Sequence, residues 1–102
     1  MTLSEFQKKY LRRRGHDLKP LIIVGNAGLS ESLLAEYEST LAHHELIKVK
    51  VRAGDHESRD AMIAKLCDQH STSLIQRIGN VALVYRPNHD KKAEERLRLP
   101  SS

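Results

Sequence analysis

Two stretches fix most of what this chain can fold into: "LIIVGNAGLSE", residues 21–31, and "LIKVKVR", residues 46–52. The first opens with four apolar residues, Leu21 to Val24, which read as a short strand buried on both faces. A Gly-x-x-Gly loop follows, and then a helix start. Ser30 is a good N-cap, and Leu29 with Leu34 has the spacing of a hydrophobic staple. A helix is therefore expected from about Ser30 to His43, with Leu33, Tyr37 and Leu41 as its core stripe. The second stretch alternates. Ile47, Val49 and Val51 point one way, and Lys48, Lys50 and Arg52 the other, giving a half-buried strand with a basic outer face. Strand, helix, strand in this order implies a parallel pair joined by a right-handed crossover.

The flanking segments complete one domain. Residues 4–14 read as a helix, with Ser4 and Gln7 as a capping box and Gly15 as the C′ stop. Leu3, Phe6, Tyr10 and Leu11 fall on its apolar side; Lys8, Lys9, Arg12 and Arg13 fall opposite. Arg14 sits nearer the apolar side and must snorkel or lie past the helix end. Asp55 can cap a third helix over about residues 56–70, with Met62, Ile63, Leu66 and Cys67 buried. Residues 74–78 and 81–85 flank Gly79-Asn80 and read as a hairpin, its second strand, "VALVY", wholly apolar and central. Numbered in chain order, the elements are α1-β1-α2-β2-α3-β3-β4: a single compact α/β domain with a mixed four-stranded sheet packed with three helices. It takes up residues 1–87, and residues 88–102 read as a loose charged tail with a short helical turn.

Composition bounds the function. The 102 residues are 39% hydrophobic, enough for one modest core, and with no Trp and one Phe that core must be aliphatic. The single cysteine, Cys67, cannot form an internal disulfide. Residues 1–20 lack an apolar signal region, and no apolar run reaches membrane-spanning length. A cytoplasmic, soluble protein is the expectation. The net charge of +4 is unevenly spread. Residues 1–28 carry six Lys or Arg against Glu5 and Asp17, residues 29–46 carry four Glu and no Lys or Arg, and Lys48, Lys50 and Arg52 follow. That alternation predicts separate basic and acidic faces, and a basic face usually means phosphate on nucleic acid or a membrane surface.

The loop Gly25-Asn26-Ala27-Gly28 is open to two readings. Spacing alone favours a tight strand-to-helix turn that needs glycine for positive φ. Its place before a helix N-terminus also makes it a possible anion cradle, since free N–H groups and the positive end of the helix dipole collect there. It is not a dinucleotide fingerprint, because Ile23 stands where the first glycine would be, and no Gly-Lys-Ser/Thr makes it a Walker loop. The loop of KH domains has the same spacing but joins two helices. Glu31 would repel a phosphate unless it points away.

"HDLKPLIIVGNAGLSE", residues 16–31, followed by "HHELIKVKV", residues 43–51, resembles the CRM domain (chloroplast RNA splicing and ribosome maturation), above all its stand-alone bacterial YhbY form. The resemblance runs from about Leu3 to Pro87. The Leu-Lys-Pro lead-in, the Gly-x-x-Gly loop, the Glu-Leu-Ile-Lys-Val-Lys strand and the closing Tyr-Arg-Pro fall in family order. It implies an RNA-binding domain with an α/β fold like the C-terminal domain of a translation initiation factor. It also implies association with the precursor of the large ribosomal subunit. The family's loop often carries a basic residue between the glycines; here those positions are Asn26 and Ala27.

The site expected on these grounds is RNA backbone lying across Gly25, Asn26, Ala27 and Gly28 and the basic face of helix 1. Lys8, Lys9, Arg12 and Arg13 supply charge, with Lys19 near the loop entrance. Lys48, Lys50 and Arg52 form a second surface, balanced against a solvated strand face with edge protection by lysine. Tyr10, Tyr37 and Tyr85 suit core packing better than base stacking. Catalysis is not expected, nor a cofactor. His43-His44-Glu45 and Asp55-His56-Glu57 cannot close on one metal ion, because adjacent side chains diverge. The runner-up is a protein-interaction module, in which the acidic second helix and the charged tail dock a basic ribosomal protein.

Overall fold

The computed structural model describes residues 2–101. Its elements are α1 (Glu5–Gly15), β1 (Pro20–Val24), α2 (Glu31–His44), β2 (Leu46–Val51), α3 (His56–Gln69), β3 (Ser73–Ile78) and β4 (Val81–Tyr85), with a 3-10 turn at Ala93–Glu95. Local signals account for the helix starts. The Ser4 hydroxyl accepts from the Gln7 N–H while the Gln7 side chain accepts from the Ser4 N–H, a complete capping box. Ser30 caps α2 by accepting from the Leu33 N–H, and Asp55 caps α3 through the Ser58 N–H. Gly79 adopts φ +58° in the hairpin turn.

The sheet order is β1-β2-β4-β3. β1 runs parallel to β2, and β4 is antiparallel to both its neighbours. The expected α/β order and mixed four-stranded sheet are therefore present, with "VALVY" central as expected. Alternation divides the two faces. Ile47, Val49 and Val51 with Ala82 and Val84 pack under α2 and α3, against Tyr37, Leu41, Ile63 and Leu66. Leu46, Leu83 and Tyr85 face the other way, against Leu3 and Leu11 of the α1 region.

Four expectations are corrected. β1 is an edge strand, so only Ile22 and Val24 are buried, while Leu21 and Ile23 remain 51% and 50% exposed. The reason is coverage: α1 packs over the Leu46–Tyr85 end of its face and leaves the β1 side open. Phe6 is 59% exposed, because Leu3, Leu11 and Gly15 supply the contacts of α1. Gly15 is not a left-handed stop; it is the last helical residue, and a Cβ there would lie 2.6 Å from Leu83 Cδ1. Glycine is needed for close helix–sheet approach.

The fourth concerns the segment expected to be a loose tail, which is tied back on the domain. Glu45, 1% exposed, accepts from the backbone N–H groups of Asn88 and Leu97 at 2.8 and 2.9 Å. Lys91 donates to the His43 carbonyl, and Leu97 and Leu99 pack against the α1 core. The helical turn falls within this segment, at Ala93–Glu95.

Candidate nucleic-acid interface

The two helical layers carry opposite charge. α1 holds Lys8, Lys9, Arg12, Arg13 and Arg14 against Glu5 alone. Across the sheet, α2 holds Glu31, Glu36 and Glu38 with no Lys or Arg. The basic and acidic faces inferred from the charge pattern are thus opposite sides of one thin sheet.

The basic side is more than a helix face. Arg12, Arg13 and Lys9 overhang a depression floored by Gln76 and Ile78 of β3. This runs into a cleft of about 260 Å3 lined by His16, Leu18, Pro20, Lys48 and Val81, again with Gln76 and Ile78. Lys48 lies in the floor and donates its ammonium to the His16 carbonyl at 3.0 Å, beside the negative end of α1. Lys50 shares that face, two residues further along β2 and paired in register with Ile23 and Val81. Neither lysine protects an edge, because β2 is flanked by β1 and β4; that alternative is set aside. Arg52 is exposed just beyond β2, its N–H bonded to the Val24 carbonyl at 2.9 Å.

The Gly25–Gly28 loop stands at this same end of the sheet. Gly28 donates to the Gly25 carbonyl at 3.0 Å and takes φ +65°, so the turn reading is correct for Gly28. Gly25 is different: its φ is not positive, and a Cβ there would meet nothing within 4 Å. Nothing inside the fold demands glycine at Gly25. Asn26 and Ala27 are exposed at the tip. Ser30 already uses the Leu33 N–H, and Glu31 is exposed.

Most of the expected site residues are therefore spread along one surface. Lys9, Arg12 and Arg13 stand at one end, the loop and Arg52 at the other, and Lys48 and Lys50 lie between. The path between them crosses the strands: the cations overhang β3 at one edge of the sheet and the loop leaves β1 at the other, three strand spacings away, or about 14 Å at ~4.8 Å each. Lys8 is turned aside, half-buried and paired with Glu5 at 3.6 Å. Lys19 is exposed just before β1.

A scan against protein families matches the CRS1 / YhbY (CRM) domain over residues 3–86. The chain belongs to the CRS1/YhbY (CRM) domain family. It is 48% identical over 88 residues to a probable RNA-binding protein of Pseudomonas aeruginosa, covering 86% of this chain and 85% of that one. It is 40% identical over 93 residues to an RNA-binding protein of Haemophilus influenzae, covering 91% and 94%. A solution structure from Staphylococcus aureus, described as a hypothetical protein with a proposed RNA-binding role, superposes with a TM-score of 0.78 at 30% identity. That match covers 97% of this chain and all of the other.

Several features of this CRM domain lay beyond sequence reasoning. The cleft residues Gln76, Ile78, Leu18 and Val81 carry no motif; the one available signal was an apolar Ile78 directly before a turn. The tyrosines are not a stacking platform: Tyr37 and Tyr85 are buried, and Tyr10 is half-buried beneath the Arg14 guanidinium, 5.9 Å from its ring. Burial pushes the Tyr37 hydroxyl up to about 12 and the Cys67 thiol up to about 11. Among the described residues, no three His, Cys, Asp or Glu side chains are grouped to hold a metal, and no helix is long and apolar enough to cross a membrane.

Proposed function

We propose that this CRM domain binds RNA, and that its RNA is ribosomal RNA in the precursor of the large subunit, in the cytoplasm. The RNA follows the open sheet face from the cations of α1, over Lys48 and Lys50, to the Gly25–Gly28 loop. The observation that carries this reading is the continuity of that face: cations at one end, half-buried lysines in the middle, and an externally open glycine loop at the other. The printed descriptions of its relatives support RNA as the ligand. The role is binding without catalysis. Backbone contacts dominate such binding, and base identity contributes less.

Protein docking is the second reading, favoured by the acidic outer surface of α2. Gradient sedimentation of lysate separates the two. Co-migration with large-subunit precursors that is lost on nuclease trimming of exposed RNA supports the proposal. Co-migration that survives trimming assigns the association to protein contact.

A further inference from the structure

Phosphate binding uses Lys48 but leaves the apolar walls of the cleft beside α1 without a role. Its walls are apolar where Leu18, Pro20, Ile78 and Val81 meet, and Ile78 is 68% exposed although it ends a strand. Lys48 and Gln76 bring polar groups into the same space. An apolar hollow with a few convergent polar groups is the usual form of a small-ligand site. At about 260 Å3 it falls below the roughly 300 Å3 at which drug-sized sites begin, so it suits one ring system.

Its surroundings restrict the occupant further. The neighbouring depression shares His16, Gln76 and Ile78 with the cleft and is overhung by Lys9, Arg12 and Arg13. An occupant that uses both places a small, partly apolar group inside and negative charge directly beside it. A nucleotide in a single strand meets both demands, since its base is planar and its phosphate follows within the same residue. An apolar peptide meets only the first.

We propose that the cleft seats one unstacked nucleobase of a single-stranded RNA segment whose phosphates lie on Lys9, Arg12 and Arg13. This rests on the RNA-binding reading above and adds a base-contacting site to it. No aromatic side chain lines the cleft, so the base is held by aliphatic contact and by its edge. The Lys48 ammonium gives one donor to the His16 carbonyl and has two more for a base oxygen. The Gln76 amide offers both donors and an acceptor.

The test compares a labelled oligouridine of about twelve nucleotides, within the usual span of single-strand sites, with an abasic strand of the same length, by fluorescence anisotropy. The native protein is expected to bind oligouridine about fivefold more tightly, the lower end of what a base stacked on an aromatic ring contributes, because the contact here is aliphatic. Ile78→Ser and Gln76→Ala should shrink that ratio to within about twofold while leaving abasic affinity and salt dependence unchanged. Ile78 is exposed, so its replacement spares the fold. Equal binding of both strands by the native protein overturns the base site and leaves RNA binding standing. Binding of neither overturns both. Self-association that Ile78→Ser abolishes, with both strands bound equally, assigns the cleft to a second copy of the chain instead.

Discussion

Single glycines in this domain do three different jobs, and each has its own consequence. Gly28 sits at φ +65° with open space around it, so a substitution there strains the backbone without clashing. Asn and Asp tolerate that region better than other residues. Gly28→Asn and Gly28→Asp should therefore fold alike, and only the charged variant should lose RNA affinity, by about tenfold or more. Anisotropy titration of both proteins checks this, and equal affinities would remove the loop from the interface. Gly15 is the opposite case: φ is helical, but a Cβ would press on Leu83. Overpacking costs about 1–3 kcal/mol, against about 1 kcal/mol gained in helix propensity. Gly15→Ala should destabilise the native protein by roughly 1 kcal/mol and stabilise a Leu83→Ala background, measured by urea unfolding. Gly25 has neither reason to be glycine; under the proposed function its job is to let RNA backbone approach. None of these roles could be told apart in the sequence, because a glycine's letter is the same whether φ, a neighbour or a ligand demands it.

At the level of elements, the parts read correctly from sequence are those with local causes. Ser4 with Gln7, Ser30 and Asp55 start three helices through bonds spanning three residues, and the alternation of residues 46–51 places β2. What escaped is what depends on partners far along the chain. The apolar run of β1 looks doubly buried until α1 is seen to cover the other end of the sheet. Glu45 looks like a solvated helix end, yet its carboxylate holds residues 88–97. Glu45→Ala leaves two backbone donors without that acceptor, each worth about 1–3 kcal/mol. The expected loss is about 2–6 kcal/mol, with early proteolysis between residues 88 and 100. A clamp of a similar kind joins α2 to the end of β4: Arg86 and His70 both bond Glu38. The Arg86 hydrogen bond, aided by His70, holds the Glu38 carboxyl at about 2 instead of its ordinary 4.5. A lowered folded value means the stabilisation is complete above about pH 4.5 and is lost as pH falls toward 2. Glu38 is half exposed, so screening keeps the contribution small. Glu38→Gln should flatten the stability profile between pH 4.5 and 2 and leave its shape above pH 5 unchanged, as acid titration of the unfolding midpoint would show.

For the molecule as a whole, the decisive property is that a single sheet separates a basic layer from an acidic one. That arrangement was legible as alternating charge along the chain, since consecutive elements pack on known sides of a βαβ unit. The path between α1 and the loop was not legible, because it is built from β2, β3 and β4 side chains that meet only after the sheet forms. Lys48 and Lys50, a secondary surface in the sequence, become the middle of that path. Like charges lined along one face attract phosphate from a distance and orient the whole domain toward it. Each phosphate neutralised releases counterions and contributes about −0.7 to the slope of log affinity against log salt for single strands. The most direct test is that slope, measured for native protein and for a Lys9→Gln, Arg12→Gln, Arg13→Gln variant on the same single-stranded RNA. With roughly four to six contacts, the native slope should be near −3 to −4, and the variant should be flatter by about 2. A native affinity that does not change with salt, or a variant whose slope matches the native one, would contradict an RNA path anchored on α1.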